Sequence, residues 1–562
     1  MSSADLQPSA SLAPAAEPAQ PVVADVDTRA ADSARLIERA DRLLAQAAAG
    51  LQGDLDGEQI ELYDLAFCAA ELGAARALVN SLNADSEAAE RALSELFVAD
   101  ALHNMRCRLS ARLGDYGLTA DALDFGQQAY ISRRLGSHNL RALGDALKIR
   151  GSAPFDGTLS DEQRLVRDSF REFADRAVAP VAARIHQDDQ VVPQSLLEEL
   201  KALGCFGLSI PQRFGGLTPD DAEDSMSMVL VTEELSRASL GAAGSLITRP
   251  EILARALLVG GTAEQQAQWL PRVASGDTLC AISVTEPGTG SDVANVSLKA
   301  TRTEGGYLLS GGKTWCTFAG KANVILVLAR TDPSAQPPHK GLSLFLVEKP
   351  SSDGDAFEHD DGRGGRVSGR AIRTLGYRGM HSFEMFYDDF FVSDAHLIGG
   401  AAGLGRGFYH TMRGFMGGRL QTAARACGLM QAAFEAASEH SANRSAFGRP
   451  LDAYPLSQAK LARMAASILA CQRYTYAVAN MMDDGGGATD ASLVKLLACR
   501  LAESVTREAQ QLHGGMGYAE ETSVSRYFVD ARVLSIFEGA EETLAVRVIG
   551  KTLADRAADR RM

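Results

Sequence analysis

Residues 533–542 read VLSIFEGAEE, and Glu538 stands where an apolar run ends against Gly539. A carboxylate buried without a partner is costly, and its usual escape is a raised pKa. A carboxylate poised in that way can take a proton as a general base. The same residue could equally be a solvated acid near a helix N-terminus, alongside Glu541 and Glu542.

Other short stretches offer groups to a ligand. TEPGTGSD, residues 285–292, places Thr285, Gly288, Gly290 and Ser291 after a strand. Such a loop can bring several N–H groups to a phosphate or a ring, and a plain structural turn uses the same residues. Val293 breaks the GxGxxG pattern, and the βαβ alternation of a dinucleotide-binding unit is absent. GYLLSGGKT, residues 306–314, puts Gly306 one residue too far from Lys313 for a phosphate-binding loop, and strands follow it, which argues against nucleotide hydrolysis. In KTWCTFAG, Trp315 and Thr317 lie two residues apart and so share a strand face, suited to a flat aromatic ligand or to core packing. NRSAFGRPL carries Arg444 and Phe447 past the end of a long helical pattern. QLHGGMGYAEE carries Gln511, Gly514 and Gly515, where glycines either let a backbone approach a ligand closely or end a helix.

The elements that must hold these residues follow from periodicity. Apolar residues recur at three- and four-residue steps through residues 34–150, predicting a helical block. Residues 149–160 read as a Gly/Pro/Ser linker. A second helical block, 151–277, opens on Ser160 as N-cap, with Asp161 and Glu162 in the first turn, and its first helix is predicted to stop at Pro180. Residues 278–395 change texture to short β-branched or alternating runs between turns, a β-domain, in which SSDGDAFEHDDGRGGRVSG is expected to be an exposed loop. Long alanine-rich helices return over 396–562 and can pack as a bundle. The fold class predicted is α+β, mainly α.

Composition bounds the function. The 562 residues carry a net charge of −15, which weighs against nucleic acid as a partner. Eight scattered cysteines with no CxxC pair weigh against a metal site or a disulfide framework and favour a cytoplasmic setting. No apolar run reaches membrane-spanning length, so no membrane partner is expected. Residues 1–33 are rich in Ala, Pro and Ser, lack a signal peptide's charged and apolar regions, and are expected to form a disordered tail.

Taken together and in this order, TEPGTGSD, KTWCTFAG, RSAFGRPL and HGGMGYAEE…IFEGAEE make the chain from about residue 155 onward resemble an acyl-CoA dehydrogenase. The resemblance implies an N-terminal α-helical domain, a central β-domain and a C-terminal four-helix bundle, with an extra helical domain in front. It implies FAD at a subunit interface. The flavin ring would be contacted by Thr285, Trp315 and Thr317, and Ser291 would bind FAD phosphate or the CoA arm. Arg444, Phe447, Gln511, Gly514 and Gly515 would reach the FAD of a neighbouring subunit, so a homodimer or homotetramer is implied. Arg419 falls beside the CoA arm. Glu538 falls on the catalytic base, and its backbone and that of Gly539 on the thioester. The base of some relatives precedes the residue matched by Arg419; here that position is Gly418. Ala540 and Met416 depart from the hydroxyl and acidic residues common at those places, so the resemblance does not extend to one cofactor hydrogen bond and the CoA adenine contact.

The length and the front block resemble members of the family that oxidise a short, branched, dicarboxylic thioester, (2S)-methylsuccinyl-CoA to mesaconyl-CoA, with electron-transfer flavoprotein as acceptor. Another short or branched monocarboxylic acyl-CoA, or an oxidase that reduces oxygen, remains open. In GAAGSLITRPEI, residues 241–252, Arg249 is the basic residue and Thr248 adds a hydroxyl. Arg249 is therefore the candidate partner of a distal carboxylate, or else a surface arginine.

Overall fold

The computed structural model describes residues 26–559. Five helices come first: α1 (Val26–Gly50), α2 (Gln59–Ser81), α3 (Ala88–Ser110), α4 (Gln128–Leu135) and α5 (Ser137–Arg150). α1 begins inside the stretch expected to be a tail. Its buried Leu36, Ile37, Ala40, Leu43 and Leu44 anchor a helix, and a helix once nucleated extends at low cost. Residues 1–25 of that expected tail lie outside the described residues.

The second block holds α6 (Asp161–Phe173), α7 (Ala179–Gln187), α8 (Gln194–Ala202), α9 (Ser225–Ala238), α10 (Thr248–Gly260) and α11 (Ala263–Ala274). Ser160 is the N-cap, as its sequence predicts, and it closes a capping box with Gln163. The helix does not stop at Pro180. A π-helical turn, Ala174–Val178, resets the hydrogen bonding, so Pro180 falls in the first turn of α7, where a missing N–H does no harm.

An eight-stranded sheet follows: β1 (Cys280–Ser283), β2 (Lys299–Thr303), β3 (Gly306–Thr317), β4 (Val324–Arg330), β5 (Leu342–Glu348), β6 (Ala356–Asp360), β7 (Arg366–Ile372) and β8 (Ser382–Ser393). β4 runs parallel to β1 and antiparallel to β5, while β2, β3, β8, β7 and β6 form an antiparallel run. The stretch expected to be a loop is instead the β6–β7 hairpin. It is held because β7 pairs with β8 through seven residues and buries Val367.

The C-terminal part comprises α12 (Gly407–Asn443), α13 (Pro455–Asp483), α14 (Ala488–Leu512), α15 (Ser523–Leu534) and α16 (Lys551–Asp559). One hydrophobic cluster runs from α1–α5 into α12–α15, including Leu62, Leu65, Phe97, Leu469, Tyr474 and Leu497. The front helices therefore share a core with the bundle. Gly73 of α2 permits this approach, since a Cβ there would lie 2.6 Å from the Tyr474 hydroxyl. Polar contacts cross the same seam, among them the fully buried Arg473–Glu90 pair at 2.7 Å. Among the described residues no helix is long and apolar enough to cross a membrane.

Candidate active site

Glu538 sits in a turn after α15, with φ of 53° there and 103° at Gly539. A non-glycine residue in this region costs about 1–3 kcal/mol and persists where its surroundings over-determine it. Two groups of α12 do so. Thr422 Oγ1 donates to Glu538 Oε2 at 2.5 Å, and Arg425 Nη2 donates to the same oxygen at 2.6 Å. Arg425 is fully buried. The carboxylate thus rests against a guanidinium and is not the unpartnered buried acid that the apolar run before it allowed. Its charge is countered by a partner, which removes much of the penalty of burying it. Among the described residues Oε1 has no hydrogen-bond partner and the Glu538 backbone N–H has no acceptor. One carboxylate oxygen is held while the other accepts no hydrogen bond.

Gly418 keeps this space open, since a Cβ there would come 3.2 Å from Glu538 Oε2. A second buried carboxylate does lie nearby, unforeseen from sequence. Glu251 of α10 pairs with Arg255 at 2.8 Å and accepts from Gln421, and burial raises its pKa. Its ion pair gives it a structural partner of its own.

Three cations, two of them close enough to feel the Glu538 charge, have no such partner. Lys495 of α14 is buried and donates from Nζ to the Gly539 carbonyl at 2.7 Å. Arg419 donates from Nη1 to Ser492 Oγ at 3.1 Å, and its buried Nε finds no acceptor. Burial depresses the pKa of both, and the Glu538 charge acts against that shift. Arg249 is buried, which excludes the surface alternative, and its Nη1 donates to the Ser245 carbonyl at 2.8 Å. Ser245 Oγ accepts from Arg425 at 3.2 Å, so Ser245 links Arg249 to the base's own partner. Among the described residues none of Lys495, Arg419 and Arg249 makes an ion pair. The Thr248 hydroxyl is likewise buried without a partner.

The residues expected around a flavin ring meet at the end of β3. Thr314 N donates to the Thr285 carbonyl at 2.9 Å, tying the TEPGTGSD loop to the strand. The buried Lys313–Glu286 pair, at 2.9 Å, ties it again. The pairing of β3 with β8 slips between Lys313 and Cys316, and Trp315 adopts φ of 57° within that bulge. The simple alternation expected for Trp315 and Thr317 is therefore broken: the indole is 55% exposed while Thr317 is buried, its hydroxyl 2.9 Å from Ser382 Oγ. Ser291 is exposed on the loop.

Arg444 and Phe447 lie on a hairpin after α12, pairing Ser445–Ala446 with Arg449–Pro450. Phe447 and Gly448 form its tip with φ of 48° and 83°, the pattern of a tight two-residue turn, and Phe447 is 99% exposed. Gln511 lies in the last turn of α14, and Gly514 and Gly515 open the 3-10 turn that follows it, all three exposed. The rings of His440 and His513 stack 4.2 Å apart and bring the ends of α12 and α14 together.

These two groups fit FAD in kind. An open indole offers a flat ring surface. Cβ atoms placed at Gly288, Gly290, Gly514 or Gly515 would meet nothing within 4 Å, so a ligand could approach the backbone there.

Thr422, Arg425 and Lys495 were not singled out from sequence. The available signal was a charged side chain inside an apolar, alanine-rich helix, as in QTAARACGLMQAAF and ASLVKLLACRL. Such a residue needs a partner, but its spacing does not say which.

Three family models match the chain: the acyl-CoA dehydrogenase N-terminal domain over residues 160–277, the middle domain over 281–390 and the C-terminal domain over 405–554. The chain is 42% identical over 408 residues to a (2S)-methylsuccinyl-CoA dehydrogenase of Cereibacter sphaeroides, covering 72% of each chain. It is similar to butyryl-CoA dehydrogenase of Megasphaera elsdenii, with TM-score 0.64 and 29% identity, over 70% of this chain and 98% of that one. It is also similar to a chain in the structure of the electron transferring flavoprotein of Acidaminococcus fermentans, with TM-score 0.63 and 27% identity, over 72% and 99% of the two.

Proposed function

The chain belongs to the acyl-CoA dehydrogenase family and is an enzyme of that class, and we propose that its substrate is a short, branched, dicarboxylic acyl-CoA, (2S)-methylsuccinyl-CoA, oxidised to mesaconyl-CoA. The observation that carries this reading is the surplus of buried and half-buried positive charge on the side chains that lead to Glu538 and, through Ser245, to its partner Arg425. Arg425 is matched by Glu538, but Lys495, Arg419 and Arg249 lack carboxylate partners. A buried cation without an anion is costly, and a bound carboxylate would offset it. Arg249 and the orphan Thr248 hydroxyl are the proposed partners of the distal carboxylate.

In this reading Glu538 Oε1 takes the α-proton, while Thr422 and Arg425 hold Oε2. The Glu538 N–H, which has no protein acceptor, donates to the thioester oxygen and stabilises the charge that develops there. FAD, when bound, supplies the hydride acceptor. Thr285, Trp315 and Thr317 hold its ring. Arg444, Phe447, Gln511, Gly514 and Gly515 of a second copy hold its far end, so the working unit is at least a dimer. Ser291 and Arg419 line the CoA arm, and Gly539 completes the thioester contact. Electron-transfer flavoprotein is the proposed acceptor, and the cytoplasm the proposed setting.

The test is a screen of the purified protein across straight, branched and dicarboxylic CoA thioesters, read as anaerobic flavin bleaching. Preference for the branched diacid supports the reading. Preference for a monocarboxylic thioester overturns it, and rapid reoxidation of the reduced protein by oxygen marks an oxidase.

A further inference from the structure

The turn that carries Glu538 is gripped from a distance by the front helices. Glu541, three positions beyond the base in chain order, is buried, and its N–H closes the turn on the Ser535 carbonyl at 3.1 Å. Its carboxylate accepts from two elements at once. Arg500 of α14 donates from Nε to Oε2 at 3.1 Å and from Nη2 to Oε1. The Tyr63 hydroxyl, on α2, donates to Oε1 across 478 residues of chain. Arg500 Nη2 also donates to the Tyr63 oxygen at 2.8 Å, which closes a three-membered ring of hydrogen bonds. The ring is braced by Phe67, one helical turn on from Tyr63, whose face lies 5.1 Å from the Arg500 guanidinium and whose ring centroid lies 5.1 Å from that of Tyr63.

The surrounding contacts are of the same kind. Leu62 of α2 would touch a Cβ at Gly550 at 3.0 Å, and Ala66 and Phe67 pack with Leu496, Ala545 and Ile549. The π-helical segment Thr543–Gly550 that follows the catalytic turn is therefore seated directly on the front block. From the same helix as Arg500, Lys495 holds the Gly539 carbonyl. A backbone strained at Glu538 keeps its geometry only under such converging restraints. Burial and the Glu541 charge lift the Tyr63 phenol to about 12, so it remains a donor throughout the neutral range.

We propose that Tyr63 is a positioning residue: with Arg500 it fixes Glu541 and so sets where the Glu538 carboxylate and N–H stand relative to the thioester. This rests on the reading of Glu538 as the base. Geometry of this kind affects the chemical step, since displacement of a reacting group by about 1 Å can cost about 100-fold in rate.

The experiment uses the full-length holoenzyme and follows anaerobic flavin reduction in single turnovers, with (2S)-methylsuccinyl-CoA or another acyl-CoA that the unmodified protein oxidises. Glu538→Gln tests the base. Tyr63→Phe and Glu541→Gln test the strap, each alone and together, with Arg500→Lys as a further variant should either fail to fold. For Tyr63→Phe the limiting reduction rate should fall about 10-fold while FAD content, flavin spectrum and the half-saturating substrate concentration hold. The double variant should be no slower than the worse single one, because all three groups act through one restraint. If Glu538→Gln abolishes reduction yet Tyr63→Phe stays within about twofold of the unmodified enzyme, the base stands and the positioning role is overturned. It is also overturned if Tyr63→Phe acts through lost FAD or weakened substrate binding alone. If Glu538→Gln reduces its flavin normally, the base reading itself fails.

Discussion

Arg425 Nη2 and Glu538 Oε2 form an ion pair at 2.6 Å in which the guanidinium side chain is wholly buried and the carboxylate nearly so. This pair, not an apolar pocket, is the immediate environment of the proposed base. It holds one carboxylate oxygen and leaves the other without a hydrogen bond.

Glu538→Gln should keep FAD and bind acyl-CoA but lose flavin reduction. Loss of a positioned general base costs about 10²–10⁴-fold. Glu251, the other buried carboxylate in the area, is held by Arg255 and should not substitute. Bleaching of the Glu538→Gln flavin at the unmodified rate would move the base elsewhere.

Arg425→Met should destabilise the fold, because it strands the Glu538 carboxylate. Breaking a buried pair by removing one partner costs about 3–5 kcal/mol. The double change Arg425→Met with Glu538→Gln should recover part of that loss in denaturant unfolding. A double variant less stable than Arg425→Met alone would mean that the pair is not what Arg425 contributes.

Arg249→Met should separate diacid from monoacid substrates. A charge-assisted hydrogen bond contributes about 1.5–3 kcal/mol, so kcat/KM for methylsuccinyl-CoA should fall about 10- to 100-fold. An uncharged 2-methyl-branched acyl-CoA should be oxidised as before. Equal losses on both, or none, would remove Arg249 as the carboxylate partner and leave the family assignment untouched.

The purified protein should be yellow, release FAD on acid denaturation, and sediment as a dimer or larger. Phe447→Asp, at the fully exposed hairpin tip, should lower FAD content without unfolding the subunit. A strictly monomeric protein with full FAD occupancy would contradict the shared site.

Glu233 should make stability pH-dependent. Burial raises its pKa from 4.5 to about 7, with Glu234 adding to the shift and the Gln472 and Tyr476 donors opposing it. The folded state therefore holds a proton that the unfolded chain has lost. Its stabilising contribution is fully present below about pH 4.5 and is lost as the pH rises through about 7. Glu233→Gln should flatten the stability profile between pH 5 and 8, measured by denaturant unfolding, and should be the more stable form at the upper end. An unchanged slope would show that Glu233 does not titrate in that range.

What the sequence determined by itself was local. The shift from three- and four-residue periodicity to short alternating runs marked the helical and sheet regions, and Ser160 with Asp161 and Glu162 marked a helix start, because periodicity and capping involve residues within a turn of each other. The order of the glycine motifs and Glu538 pointed to the family that the chain belongs to. What only the tertiary structure decided was partnership. The Arg425–Glu538 pair joins residues 113 apart, the β6–β7 hairpin exists because β8 lies beside it, and Pro180 is tolerated because a π-turn precedes it. Tyr63 and Glu541 meet only because α2 shares a core with the bundle. A polar side chain in an apolar run signals that it needs a partner, but burial and charge pairing are set by whatever packs opposite, and no local pattern encodes that.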